Sequence, residues 1–139
     1  MIALVDGSIQ LLLNPPMSPI PSIMVIDDNA EMLTALAELL SALGAKKVRQ
    51  VGSAEEALEI LETETFSIIL SDYRLEGMDG VQFVERLREA GNQTPVVMLS
   101  GAPDKQDVIR ATRHERVDFF PKPFSLTDLS GTMERLLAA

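Results

Sequence analysis

The chain has 139 residues, 46% of them hydrophobic and 24% charged, with no cysteine and a formal net charge of −9. That length suits one domain with a real core, the lack of thiols excludes disulfides and thiolate zinc sites, and the acidity, with no basic residue before Lys46, argues against nucleic-acid binding by this domain. No run approaches the ~20 apolar residues of a membrane span, and Asp6 interrupts an N-terminal apolar stretch that no positive region precedes, so neither a membrane anchor nor a secretory leader is expected and the cytoplasm is the default compartment.

Residues Ile2 to Leu13 form two short apolar runs around Asp6-Gly7, a dipeptide that favours a tight hairpin turn. Pro15, Pro16, Pro19 and Pro21 then break regular structure. Residues 1–21 therefore read as an N-terminal extension, either a hairpin or, with Met17 as an internal start, a remnant of expression cloning. The domain proper is expected over residues 22–139. Ser22 to Ile26 is a strand closed by Asp27-Asp28-Asn29, after which Met32, Leu33, Leu36, Leu39, Leu40 and Leu43 recur at helical spacing up to a C-terminal cap at Gly44. A second strand, Lys47 to Val51, precedes a capping box of Ser53 and Glu56 that opens a helix to about Glu64. The apolar run from Phe66 to Leu70 ends in Ser71-Asp72 and a glycine-bearing loop, so a third strand delivers Asp72 to a rim. Asp79 and Gln82 cap the next helix, carried by Val81, Val84 and Leu87 as far as Gly91.

Pro95 to Leu99 is a fourth, buried strand ending in Ser100-Gly101. The helix predicted over Asp104 to Arg113 is weakly amphipathic, with Val108, Ile109 and Ala111 as its apolar residues. Val117 to Phe120 is a fifth strand stopped by Pro121-Lys122-Pro123-Phe124, and Ser125 with Asp128 opens a last helix holding Leu126, Leu129, Met133, Leu136 and Leu137. Five strands alternating with five helices predict an α/β fold, a doubly wound five-stranded parallel sheet with right-handed crossovers.

Four of the five strands end in a residue suited to phosphate or metal chemistry: Asp27 and Asp28, Asp72, Ser100 and Lys122. In a parallel sheet those ends share one rim, so residues distant in sequence converge. Clustered carboxylates raise one another's pKa unless a cation intervenes, and hard oxygen ligands suit Mg2+, so Asp27, Asp28 and Asp72 predict a divalent ion. An Asp carboxylate is also a competent nucleophile towards phosphorus. An ammonium from Lys122 and a hydroxyl from Ser100 are what would hold the oxygens of a phosphoryl group in transit.

Taken together, Asp-Asp-Asn at 27–29, Ser-Asp-Tyr-Arg-Leu-Glu-Gly-Met-Asp-Gly at 71–80, Leu-Ser-Gly-Ala at 99–102 and Pro-Lys-Pro-Phe at 121–124 resemble a response-regulator receiver domain of bacterial two-component signalling, with its flavodoxin-like fold, from about Ser22 to Ala139. The resemblance implies that Asp72 is the phospho-acceptor, taking its phosphoryl group from a sensor histidine kinase or a histidine phosphotransfer protein. It implies that Asp28, Asp72 and the backbone carbonyl of Arg74 ligate Mg2+, or Mn2+ in its place, with Asp27 acting largely through bound water. Ser100 would turn its hydroxyl onto a phosphoryl oxygen, Lys122 would pair with Asp72 and the phosphate, and Phe119 would be the aromatic ring that swings inward, here without the hydroxyl of a tyrosine. A cis Lys122-Pro123 bond belongs to the same pattern. Such a domain catalyses its own phosphorylation and dephosphorylation without being an enzyme for a separate metabolite. It acts on a downstream protein or output domain, and its fourth helix, fifth strand and fifth helix can form a homodimer face.

The chain departs from that pattern at Glu76, where Pro is common, and near Glu115, where a Gly is usual in the turn before the fifth strand, so Glu115 is expected to carry strain or to change the turn. Arg74 and Ala102 occupy variable positions. Lone His114 sits in a charged turn beside Arg113, Glu115 and Arg116, and reads as solvated rather than as a phosphodonor. Two other functions are weighed against the receiver reading. A haloacid-dehalogenase-like phosphohydrolase places an Asp two residues after its nucleophile, where this chain has Arg74. A phosphate-independent receiver-like interaction module is marked by loss of an acidic or lysine position, and none is lost here.

Overall fold

A computed structural model describes residues 2–5, 8–11, 22–101, 104–122 and 126–138. The Asp6-Gly7 turn, the proline-rich stretch of 12–21, Ala102 and the segment 123–125 with the Lys122-Pro123 bond lie outside them. Strands β1 (Ile2–Val5) and β2 (Ser8–Leu11) pair antiparallel, Ile2 opposite Leu11 and Val5 opposite Ser8, which is the hairpin expected of two apolar runs.

The main sheet contains β3 (Ser22–Ile26), β4 (Lys47–Val51), β5 (Ile68–Asp72), β6 (Val96–Ser100) and β7 (Val117–Pro121), all parallel, in the order β4-β3-β5-β6-β7. Helices α1 (Ala30–Ala42), α2 (Ala54–Leu61), α3 (Gly80–Glu89), α4 (Lys105–Thr112) and α5 (Leu126–Ala138) alternate with them, giving the predicted doubly wound, flavodoxin-like architecture. None of the described helices is long and apolar enough to cross a membrane.

Both faces of the sheet are covered, which is why its central strands are apolar runs rather than alternating ones. Ile23, Val25, Ile68, Leu70, Val97 and Leu99 pack under α1 (Leu33, Leu36, Leu40) and α5 (Leu129, Met133). Met24, Ile26, Ile69, Val96 and Met98 pack on the other side against α2 (Ala54, Ala57), α3 (Val81, Phe83, Val84, Leu87) and Ala111 of α4. Each large aliphatic or aromatic side chain sealed this way contributes about 1.5–3 kcal/mol.

Capping residues set the helix starts. Asn29 accepts the amides of Glu31 and Met32 at 2.9 and 3.1 Å, Ser53 accepts that of Glu56 at 3.1 Å, and Asp79 with Gln82 closes a full capping box. α2 stops at Leu61 rather than near Glu64. Its end tightens through bonds from Glu62 to Glu59 and Thr63 to Ile60, while the Glu64 amide still reaches the Ile60 carbonyl at 2.9 Å and its carboxylate pairs with Lys47 on β4.

The turn before β7 also differs from expectation. The left-handed residue is Arg116, at φ 61°, and not Glu115. A side chain there costs roughly 1–2 kcal/mol. The turn is braced from α3, where Arg88 donates from Nη1 to the Asn92 carbonyl and from Nη2 to the Glu115 carbonyl, each at 2.9 Å. Strand pairing holds it too, through the Val96 amide on the Arg116 carbonyl at 2.9 Å.

Candidate functional site

The sheet reverses its strand order at β3, with β4 on one side and β5 on the other, and the crevice at such a reversal is where doubly wound sheets bind ligands. Register levels the side chains there. Ile26 lies opposite Ser71, so Asp27 leaves β3 as Asp72 ends β5. Asp72 lies opposite Leu99, and Ser100 opposite Pro121, one residue short of Lys122.

Asp27 is 3% exposed. Its amide continues the ladder to the Val51 carbonyl at 3.1 Å, while its Oδ1 accepts the Asn29 amide at 2.9 Å. The helix-capping role that two adjacent acids could have filled thus falls to Asn29, leaving Asp27 turned inward and Asp28 exposed at the rim. Asp27, Asp28 and Asp72 each offer an oxygen, all within 4.8 Å of one another. Burial holds the Asp27 carboxyl above the ordinary value of 3.8, and the charges of Asp72 and Asp28 push the same way, against the Asn29 amide and Lys122. Three converging carboxylates, one of them raised by burial, fit a hard divalent cation.

Lys122 brings the cation of the protein itself. Its Nζ lies 3.1 Å from Asp72 Oδ1, with the side chains only 28% and 15% exposed, and its amide is anchored to the Ser100 carbonyl at 2.8 Å. Ser100 is buried at the end of β6. Arg74 lies in the loop two residues past Asp72, its side chain exposed. Phe119 is half-buried on β7 against the α2–α4 side of the core. His114 is half-buried, not fully solvated, and precedes β7 at the opposite end of the sheet.

Two residues at the site were not singled out from sequence. Gly80 opens α3 so close to β5 that a Cβ would lie 2.4 Å from Met98 Sδ and 3.1 Å from the Asp72 carbonyl. Its amide closes the loop by donating to the Tyr73 carbonyl at 2.9 Å. Tyr73, next to Asp72, is buried, its hydroxyl donates to Asp107 on α4, and its ring centroid is 5.9 Å from that of Phe119. A glycine directly after a capping Asp hinted at the first; nothing local hinted at the second.

The sequence profile of the response regulator receiver domain matches residues 23–134. The chain is 30% identical over 115 residues to the response regulator protein TmoT of Ectopseudomonas mendocina, covering 83% of this chain and 52% of that one. It is also 30% identical over 119 residues to the C4-dicarboxylate transport transcriptional regulatory protein DctD of Rhizobium meliloti, covering 86% and 26%. It therefore spans about half or less of these curated relatives. The crystal structure of the receiver domain of NtrX from Brucella abortus is similar at a TM-score of 0.76 and 28% identity, over 85% of this chain and 99% of that one. The signal receiver domain of a signal transduction histidine kinase from Syntrophus aciditrophicus matches at 0.74 and 26%, over 85% and 90%.

Proposed function

The chain belongs to the response regulator receiver family of two-component systems, and on that premise we propose that Asp72 accepts a phosphoryl group from a phosphohistidine on a sensor histidine kinase or a histidine phosphotransfer protein. The observation that carries this reading is the Lys122–Asp72 ion pair, 3.1 Å long and set beside two further carboxylates on one rim. A carboxylate oxygen of Asp72 attacks phosphorus, the phosphorus–nitrogen bond breaks, and the departing imidazole keeps the electron pair. Lys122 moves part of its contact from Asp72 to the phosphoryl oxygens, and Ser100 donates its hydroxyl to another. Asp27, Asp28, Asp72 and the carbonyl of Arg74 are the groups that would hold Mg2+ or Mn2+, which when bound supplies positive charge against the phosphoryl oxygens.

The receiver occupies residues 22–139, and residues 1–21 are an extension outside it. The domain acts in the cytoplasm, performing only its own phosphorylation and dephosphorylation. The signal leaves as a change at Ser100, Phe119 and α4, read by a downstream protein or output domain. The face formed by α4, β7 and α5 is the surface offered to a second copy, for which a phosphorylation-dependent increase in mass by light scattering is the test.

Beryllofluoride, a phosphoryl mimic, is added with Mg2+ while the Gly101 amide is followed by NMR. A Mg2+-dependent shift that Asp72→Asn abolishes is the expected result. An equal shift in the variant, or sustained hydrolysis of a generic phosphate ester, would overturn the assignment.

A further inference from the structure

This chain holds a single tyrosine, and its place is unusual in what it touches. Tyr73 follows the acceptor carboxylate directly. Its backbone is tied to β6 through the Leu99 carbonyl at 2.9 Å and to the start of α3 through the Gly80 amide at 2.9 Å. Its hydroxyl donates to Asp107 Oδ2 in the first turn of α4. Asp107 is itself held by Arg110 Nη1 at 3.2 Å, and Arg110 Nη2 reaches Glu85 of α3 at 2.7 Å. The ring meets Phe119 of β7 at 5.9 Å, tilted by 57°. One residue thus contacts the strand after the site, the ring on β7 and the helix beyond it.

Phe119 has no hydroxyl with which to reach α4 or solvent, so any movement of its ring must be passed on by contact. The ring it touches is the one whose hydroxyl ends on α4. We propose that Tyr73 is the positioning residue that couples the Asp72 rim to α4: its bond to Asp107 latches the helix, and its ring links that latch to Phe119. The trigger rests on the phosphoryl-accepting reading of Asp72; the latch itself does not.

The latch coexists with the Lys122–Asp72 pair in one arrangement. Modification of Asp72 draws Lys122 onto the phosphoryl group and so competes with that arrangement. By linkage, whatever stabilises it opposes modification, and weakening it favours modification by the same factor. Tyr73→Phe keeps the ring and deletes only the hydroxyl. Losing a part-buried hydrogen bond to a carboxylate should tighten beryllofluoride binding about five- to ten-fold.

The experiment titrates beryllofluoride with Mg2+ against the unaltered protein, Tyr73→Phe, Asp107→Ala and the double variant, reading the Gly101 amide. Each single variant should bind several-fold more tightly and the double variant no more tightly than Asp107→Ala, which removes the Tyr73 bond together with the Arg110 one. Unchanged or weaker binding, or effects that add, would overturn the latch. In the same samples, amide exchange in Val108 to Thr112 should accelerate in Tyr73→Phe more than that in Val81 to Leu87 of α3; unchanged exchange in α4, or equal acceleration in both helices, also overturns it. Should the unaltered protein show no beryllofluoride response, the phosphoryl reading fails, and the exchange result alone decides whether Tyr73 holds α4.

Discussion

Helices α3 and α4 lie side by side on the same face of the sheet but are held by different means. α3 buries Gly80, Val81, Phe83, Val84 and Leu87 and starts with a complete capping box. α4 buries only Ala111, leaves Ile109 41% exposed, and is tied to its surroundings through Tyr73–Asp107 and Arg110–Glu85. Apolar burial is non-directional and is given up only by unfolding. Polar links are worth little net and can be exchanged for others at small cost. The anchored helix holds the loop that follows Asp72, whereas the tethered one rests on bonds that can be exchanged. Low local burial makes α4 the helix expected to open at the smaller cost in hydrogen exchange.

Breaking the anchor gives the largest effect. Phe83→Ala empties a fully buried site on α3 and should cost about 3–5 kcal/mol in urea denaturation; a much smaller loss would mean that α3 is not the anchor. Gly80→Ala forces a methyl into Met98 and the Asp72 carbonyl. It should cost about 1–3 kcal/mol and also displace the acceptor, seen as a shifted Gly101 amide.

The charge at the rim sharpens the comparison from a third direction, since it loads the sheet without touching either helix. Burial raises the Asp27 pKa, so its favourable contribution is complete below the unfolded value and is lost as pH rises through the folded one. Asp27→Asn should therefore raise the unfolding midpoint at neutral pH in metal-free buffer, with the gain vanishing below the ordinary value of 3.8. It should leave α4 exchange unchanged, and a midpoint that falls instead would reverse the sign. Arg110→Ala gives the smallest global effect. It removes a solvent-screened pair with Glu85, yet it should quicken hydrogen exchange in α4 more than in α3.

Much of this arrangement was legible in the chain. Strand runs such as Ile68-Ile69-Leu70 carry their burial in their composition, and once they are parallel the convergence of Asp27, Asp28, Asp72, Ser100 and Lys122 on one rim follows from topology. Turn strain was legible only in kind: the missing glycine was visible near Glu115, but the chain moved the left-handed residue to Arg116 and braced it with Arg88 from another element. The end of α2 was placed too late because the chain past Leu61 tightens through the Glu62–Glu59 and Thr63–Ile60 bonds, while the Glu64 carboxylate pairs with Lys47 on β4. Tyr73 could not be read from sequence, since its partners stand 34 residues away on α4 and farther still on β7, and no periodicity encodes a side-chain pair across elements.

The most direct test of the central claim is intact mass after incubation with acetyl phosphate and Mg2+, with Asp72→Asn and a chelated sample alongside. The account predicts one added phosphoryl group in the unaltered protein with Mg2+, and none in the variant or the chelated sample. Equal addition to Asp72→Asn, or none in any sample, would contradict the assignment of Asp72 as the acceptor.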